Sequence, residues 1–296
     1  MERLNQIRKQ SAIRDLRLKY WPLIKSLQTG LLLSTGMAGY LSASRDPIHW
    51  LTFLSLTGSL FLAISGSTVL NMWYDRDIDV KMKRTCNRPL PKGLVTSGEV
   101  LRLGLVLSGL GVIWALALSP LYGLAVFAGL FFDIVVYTIW LKRRSAWSIV
   151  WGGISGGMPI LAGRLLAAGQ IDWIGLLLAL AVLFWIPTHI LTFNMRYFED
   201  YRSAEVPTFP SLYGFDLTRK VIAASSVLAA LAMGGASAWI GITAGALRLM
   251  VVLSAGLLLL ALTTWMRPSE KVNFGLFKYS SLFMLSSMLV LAFGTL

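Results

Sequence analysis

Nine apolar stretches follow one another along this 296-residue chain, near residues 23–41, 50–70, 100–119, 121–141, 148–168, 173–196, 219–241, 246–266 and 274–295. Each comes close to the roughly twenty residues that a helix needs to cross hydrocarbon. Hydrophobic residues make up 56% of the chain and charged ones only 14%, more apolar surface than a soluble domain of this size can use. The expected fold is therefore all-α: a polytopic membrane protein whose nine transmembrane helices surround a central cavity, with its polar site at the cytoplasmic end. Residues 23–296 form one domain on this reading, preceded by a basic arm over 1–22. In that arm Arg3, Arg8, Lys9, Arg14, Arg17 and Lys19 lie among Leu4, Ile7, Ile13, Leu16 and Leu18, the composition of an interfacial helix resting on anionic head groups. No small-residue cleavage site follows a short apolar core, so the arm does not read as a removable signal peptide.

A net charge of +13 points to nucleic acid only until the charges are placed along the chain. With the N-terminus in the cytoplasm, seven Lys and Arg up to Lys25, seven from Arg76 to Arg102, three from Lys142 to Arg144, four from Arg196 to Lys220 and three from Arg267 to Lys278 fall on the cytoplasmic side, 24 of 27. Arg45, Arg164 and Arg248 are left for the other side. This is the positive-inside pattern of a multi-pass protein. It implies the cell (plasma) membrane, a cytoplasmic N-terminus and site loops, an outside C-terminus, and membrane lipid rather than nucleic acid as the partner of the basic surface.

One cluster stands out against this background. Asn71 to Leu90, NMWYDRDIDVKMKRTCNRPL, sets acids and bases beside the second span. Such charge is costly in lipid and belongs in a water-filled or metal-filled cavity. Asn71, Asp75 and Asp79 recur every four residues, so on a helix they drift by only about 40° per step and offer one oxygen per turn to a common point. Asp77 falls on the far side. One amide and two carboxylates without His or Cys form a hard-oxygen face, suited to Mg²⁺ carrying a phosphate-bearing ligand. Arg84 and Arg88, again four apart, can grip phosphate oxygens. A solvated loop would not need carboxylates in helical register. Cys86 is the only cysteine, which excludes an intrachain disulfide and a thiolate metal cage, and it reads as a bystander.

A second charged loop, Met195 to Gly214, follows the sixth span. Asp200, four residues after Arg196, can turn another carboxylate toward the first cluster, and two facing acidic helix ends can hold more than one Mg²⁺ around a diphosphate. The alternative is that Glu199 and Asp200 end a helix and pair with Arg202. Tyr137, Lys142 and Arg143 close the fourth span, where the two cations could equally serve as orientation anchors. Gly152, Gly153, Gly156 and Gly157 open the fifth span, at spacings that let helix backbones approach. Asp133, inside the fourth span, must be paired or protonated. His189, just after Pro187 in the sixth, reads first as a hydrogen-bonded packing residue.

With those residues in view, the chain resembles the UbiA superfamily of intramembrane prenyltransferases over nearly its whole length, and most closely the haem O synthase (protohaem IX farnesyltransferase) branch. Three matches carry the resemblance. The first is Asn71, Asp75, Arg76, Asp77 and Asp79, followed by Met82, Arg84, Thr85, Arg88, Pro89 and Leu90. The second is Tyr137, Thr138, Leu141, Lys142 and Arg143, leading to Gly152, Gly153 and Pro159. The third is Asp200, Tyr201, Ala204, Val206, Pro207 and Pro210, preceded by Trp185, Pro187 and His189. The chain departs from the pattern at Glu205, where that branch has Gly, at Thr208 and Phe209 in place of Met and Leu, and at Ile190 and Leu191 in place of Phe and Trp. All three departures lie in the half of the site where acceptor selectivity is expected.

The resemblance implies Mg²⁺-dependent transfer of a polyprenyl group, farnesyl in that branch, from farnesyl diphosphate to a hydrophobic acceptor in the bilayer, haem b, giving haem O. It implies metal ligation by Asn71, Asp75, Asp79 and Asp200, with Asp75, Asp79, Asp200 and Lys142 catalytic. Substrate contacts fall to Arg84, Arg88, Tyr137, Arg143, His189 and Arg196. Physics gives each part a reason. The leaving diphosphate gathers negative charge as the allylic bond ionises, and preorganised cations stabilise that charge. An apolar groove holds the tail and excludes water. The same resemblance also admits an aromatic quinone precursor or a glycerol-phosphate lipid as acceptor. A transporter would need a polar path across the bilayer, whereas these charges cluster at the cytoplasmic ends.

Overall fold

The ends of the helices are set by local chemistry that the sequence carries openly. Thr96 accepts the Glu99 N–H at 3.2 Å while Glu99 accepts the Thr96 N–H at 2.7 Å, a reciprocal cap at the start of one long helix. Asp172 accepts the Gly175 N–H at 2.8 Å at the start of another, and Pro120 occupies a first helical turn, where its missing N–H costs nothing.

The computed structural model describes residues 16–44 and 48–294, which leaves most of the basic arm, together with Arg45, outside the described residues. A 3₁₀ turn, Trp21–Ile24, leads into α1 (Ser26–Ala43), α2 (Trp50–Tyr74), short α3 (Arg76–Lys81), α4 (Ser97–Leu118) and α5 (Pro120–Phe131), which continues as a π-helix over Phe132–Leu141. There follow α6 (Ser148–Ala168), α7 (Trp173–Arg196), short α8 (Phe198–Ser203), α9 (Phe209–Ile240), α10 (Ala244–Met266) and α11 (Glu270–Phe293).

Among the described residues, the nine long helices close a ring: each packs on the next, and α11 returns to α1. Cross-contacts of α1 with α6 and of α7 with α11 divide the interior, with one hydrophobic cluster around Tyr122 and Leu60 and another around Phe283 and Trp185. The α1–α6 contact is unusually close. A Cβ at Gly163 would lie 1.9 Å from the Gly36 carbonyl oxygen, so only glycine fits there.

Eight of the nine helices are long and apolar enough to cross a membrane. The first span falls short of the expectation on composition: α1 has 18 residues and includes Gln28, Thr29, Ser34, Thr35 and Ser42. Several of those hydroxyls are satisfied within the helix, as Ser34 and Thr35 donate to the Leu31 and Leu32 carbonyls, both at 2.7 Å. The seventh span begins ten residues earlier than its apolar run suggests. Phe209 to Tyr213 form a preceding turn, and the chain bends at Gly214, whose φ of 77° suits glycine.

Opposite the charged loops, Arg164 explains itself. It is 6% exposed, its Nε donates to both Asp172 oxygens at 2.8 Å, and its Nη1 donates to the Ser42 carbonyl at 3.1 Å, tying α6 to α1 and to the start of α7. Partial burial alone would raise the Asp172 carboxyl, but the Arg164 guanidinium and the Gly175 N–H outweigh it and hold the group below the usual carboxylate range.

Candidate active site

Asp75 sits at the joint between α2 and α3, with φ −84° and ψ 5°. The helical register survives this joint, because the Asp75 N–H donates to the Asn71 carbonyl and the Asp79 N–H to the Asp75 carbonyl, both at 2.9 Å. Asn71, Asp75 and Asp79 are thereby all buried, at 8%, 1% and 3% exposure. Asp77 points away, as its register requires. It is bound by both terminal nitrogens of Arg143 at 2.7 Å, and this side-chain hydrogen bonding holds its carboxyl below the usual range.

Each buried carboxylate has its own cation. Lys142 pairs with Asp75 Oδ2, and Arg88 Nη1 donates to both Asp79 oxygens at 2.8 and 2.7 Å. The Asn71 amide bridges two further groups: Oδ1 accepts from Lys25 Nζ at 3.0 Å, and Nδ2 donates to Thr138 Oγ1 at 2.9 Å. The Thr138 hydroxyl donates in turn to the Asp133 carbonyl at 2.7 Å, and the Asp133 carboxylate accepts from Ser67. The Asp133 side chain is thus held by a hydroxyl, with no cation in ion-pair distance among the described residues.

The π-helix makes this arrangement possible. Asp133 and Lys142 are nine residues apart and would lie about 180° apart on an α-helix. Hydrogen bonds of the i→i+5 type, such as Lys142 N–H to the Tyr137 carbonyl at 2.8 Å, widen the turn and bring both residues, with Thr138, to the face that meets α2. Such π segments occur often at functional sites.

The two charged loops meet. The Arg84 N–H donates to Asp200 Oδ2 at 3.1 Å, Ser203 Oγ donates to the Lys81 carbonyl at 3.3 Å, and Ile78, Met82, Ala204 and Val206 are buried together between them. The guanidinium of Arg84 lies over Phe193 and Tyr197, at 4.9 and 5.5 Å from the ring centres. Glu199 pairs with Arg202 in solvent at 3.7 Å, so the two neighbouring acids have separate fates and Asp200 alone faces the first loop. Below, Tyr137, Lys142, Ile190, Asn194, Tyr201 and Thr208 line a cleft between the two halves of the ring. A Cβ at Gly152 would come 2.7 Å from the Tyr137 ring, so that glycine keeps the tyrosine in the cleft wall.

Two expected substrate contacts are engaged elsewhere. Arg196 lies over Phe274 at 3.8 Å and reaches Glu270 at 3.8 Å, drawn to α11 by an aromatic face and an acid. His189 stacks between Trp185 and Phe277, at 4.8 and 4.5 Å, with Nδ1 within 3.2 Å of Ser280 Oγ, which matches its reading as a packing residue. The structure adds Lys25, Ser67, Asn194 and Tyr201 to the polar site or its cleft. A lone lysine directly before an apolar span was the available signal for Lys25.

The donor chemistry fits Mg²⁺. Asn71, Asp75, Asp79 and Asp200 supply hard oxygens only, and Asp75 Oδ1 is buried without a hydrogen-bond partner among the described residues. No three of the described Asp, Glu, His or Cys side chains gather closely enough to hold an ion by themselves. The carboxylates expected to share a metal instead stand apart: Asp75 and Asp79 are each neutralised by a cation, and Asp200 accepts only the Arg84 backbone N–H.

Comparison with known proteins identifies the family. A family model described as the UbiA prenyltransferase family matches residues 32–286. A protohaem IX farnesyltransferase from Archaeoglobus fulgidus is 41% identical over 78% of this chain and 80% of its own length. The protein of the same name from Ruegeria pomeroyi is 38% identical over 90% and 86%. A solved digeranylgeranylglyceryl phosphate synthase superposes with a TM-score of 0.78 at 20% identity, covering 95% of this chain and 99% of that one. A UbiA homologue from Archaeoglobus fulgidus bound to DMAPP and Mg²⁺ superposes with a TM-score of 0.72 at 14% identity over 93% and 99%. At these identities the two structures attest the fold, while the family model and the sequence relatives settle descent: the chain belongs to the UbiA prenyltransferase family and is an integral membrane prenyltransferase.

Proposed function

We propose that this protein transfers a farnesyl group from farnesyl diphosphate to haem b within the bilayer, giving haem O, in a Mg²⁺-dependent reaction. The observation that carries the reading is the set of buried pairs, Lys142 with Asp75 and Arg88 with Asp79, in relatives' company: chains about 40% identical over most of their length are named protohaem IX farnesyltransferase. Orientation follows from charge. The site and N-terminus face the cytoplasm of the plasma membrane, and the C-terminus lies outside.

Asn71, Asp75, Asp79 and Asp200 would hold Mg²⁺, which when bound supplies Lewis-acid stabilisation of the leaving diphosphate. Arg84, Arg88, Lys142 and Arg143 neutralise the phosphate oxygens as the allylic C–O bond breaks and its electron pair passes to the diphosphate. The cleft wall of Tyr137, Ile190 and Tyr201 keeps water from the allylic cation until the haem vinyl carbon attacks. Water then adds to the cation left on the vinyl group and loses a proton, completing a hydroxyethylfarnesyl side chain. The two loops, closed by Arg84 and Asp200, cap the site, and residues 23–296 act as one catalytic domain.

Mass spectrometry of haem after incubating the detergent-purified protein with haem b, farnesyl diphosphate and Mg²⁺ tests the reading. The expected product is haem b gaining one farnesyl group and one hydroxyl group. Unmodified haem, with the prenyl group passing to an aromatic or glycerol-phosphate acceptor as diphosphate is released, would leave the prenyltransferase and remove the haem assignment.

A further inference from the structure

Lys25 belongs to none of the three motifs, yet it reaches the site. Its backbone is left-handed, with φ 45° and ψ 61°, at the junction of the Trp21–Ile24 turn and α1. Residues other than Gly, Asn and Asp rarely adopt that conformation, and where they do the strain tends to mark functional positions. The side chain runs inward from there to Asn71 Oδ1 at 3.0 Å.

What Lys25 meets is electrically incomplete. Its ammonium carries three donors and a full charge, but the partner it holds is a neutral amide. No carboxylate lies within ion-pair distance of it among the described residues: Asp75 is taken by Lys142 and Asp79 by Arg88, while Asp133, bonded to the Ser67 hydroxyl, stands beyond ion-pair reach of the Lys25 ammonium. A partly buried cation beside two others, without a counter-ion of its own, is the arrangement that an arriving polyanion completes.

We infer that Lys25 is a phosphate-binding residue for the donor substrate: when a prenyl diphosphate enters, its ammonium leaves Asn71 Oδ1 and pairs with a diphosphate oxygen. Asn71, still held by Thr138, then has its carbonyl oxygen free for the ligand set. This inference rests on the reading of the site as a prenyl diphosphate site. It also gives the residues just ahead of α1 a direct part in donor recognition.

The test is a titration of unreactive farnesyl thiolodiphosphate with Mg²⁺, by calorimetry in detergent, against wild type, Lys25→Gln, Lys25→Met and Lys25→Arg. Lys25→Gln keeps a hydrogen-bonding group beside Asn71 without the charge. Both neutral variants are expected to bind the analogue at least tenfold more weakly, Lys25→Arg to stay within about threefold of wild type, and binding of farnesol to be unchanged in all. Wild-type affinity for the analogue in Lys25→Gln would overturn the inference while leaving the site reading intact. A parallel loss of farnesol binding and of thermal stability in both neutral variants would also overturn it, by showing a packing role. Failure of wild type itself to bind the analogue would refute the diphosphate reading and this inference together.

Discussion

Asp75, just after α2, and Lys142, just after the π-helix that continues α5, form an ion pair in which the carboxylate side chain is 1% exposed and the lysine side chain 14%. Neither charge is tolerable there alone. Lys142→Met is expected to destabilise the protein by about 3–5 kcal/mol, the usual cost of stranding one partner of a buried pair. The double variant Asp75→Asn/Lys142→Met should recover most of that stability, because no charge is left uncompensated, yet remain inactive. Thermal unfolding in detergent together with diphosphate release checks both halves, and turnover by the double variant would remove the pair from the reaction.

Arg88 and Asp79 separate binding from chemistry. Asp79→Asn is expected to abolish turnover, at least a thousandfold in kcat, while the protein still inserts and purifies. Arg88→Ala should raise the KM for the prenyl diphosphate about tenfold or more and leave the acceptor KM within twofold, since a cation on the basic loop helps only where phosphate charge is present. Asp77→Asn should stay within about fivefold of wild type, because Asp77 faces Arg143 off the buried register. Steady-state kinetics with each substrate varied in turn decides these points.

Glu205 occupies a left-handed backbone position, φ 57°, in the loop after α8, where its side chain is exposed. Arg202 and Arg196, the two partners that could have neutralised it, pair with Glu199 and Glu270 instead. The glycine expected at this place therefore answers a backbone requirement. Glu205→Gly should stabilise the protein by about 0.5–1 kcal/mol, relief of the left-handed penalty less the extra freedom of the unfolded chain, and leave prenyl transfer unchanged. A drop in acceptor turnover without a change in stability would instead assign Glu205 to substrate selection.

The ion pair at the other end of the bundle gives stability a pH dependence. Asp172 titrates below the usual carboxylate range in the folded protein, so its contribution is fully present above the unfolded pKa of about 3.9 and is lost as pH falls through the lowered folded value. The detergent melting temperature is expected to lose this contribution below about pH 4. In Arg164→Met that low-pH component should vanish, along with part of the stability at neutral pH, because Arg164 also anchors Ser42 of α1. A melting profile of the same shape in both proteins would exclude the pair as its source.

The membrane fold was legible because it depends on composition summed over about twenty residues, which lipid reads without reference to neighbours. The register of Asn71, Asp75 and Asp79 was legible for a similar reason: four-residue spacing is a property of one strand of backbone, and it held even though the helix breaks at Asp75. What contacts those residues was not. That Lys142 rather than Arg84 meets Asp75 depends on a π-helix whose hydrogen bonding is decided by packing against α2, and no local propensity announces it. Lys25 and Asn71 are 46 residues apart, and their contact exists because the turn before α1 docks on the end of α2. His189 and Arg196, plausible ligands in one dimension, were captured by aromatic rings of α11, a helix some eighty residues further along. Residue types and spacing determined the chemistry available to this chain; which charges neutralise one another was decided only when helices distant in sequence came together, because ion pairing acts over a few ångströms of space and is indifferent to separation along the backbone.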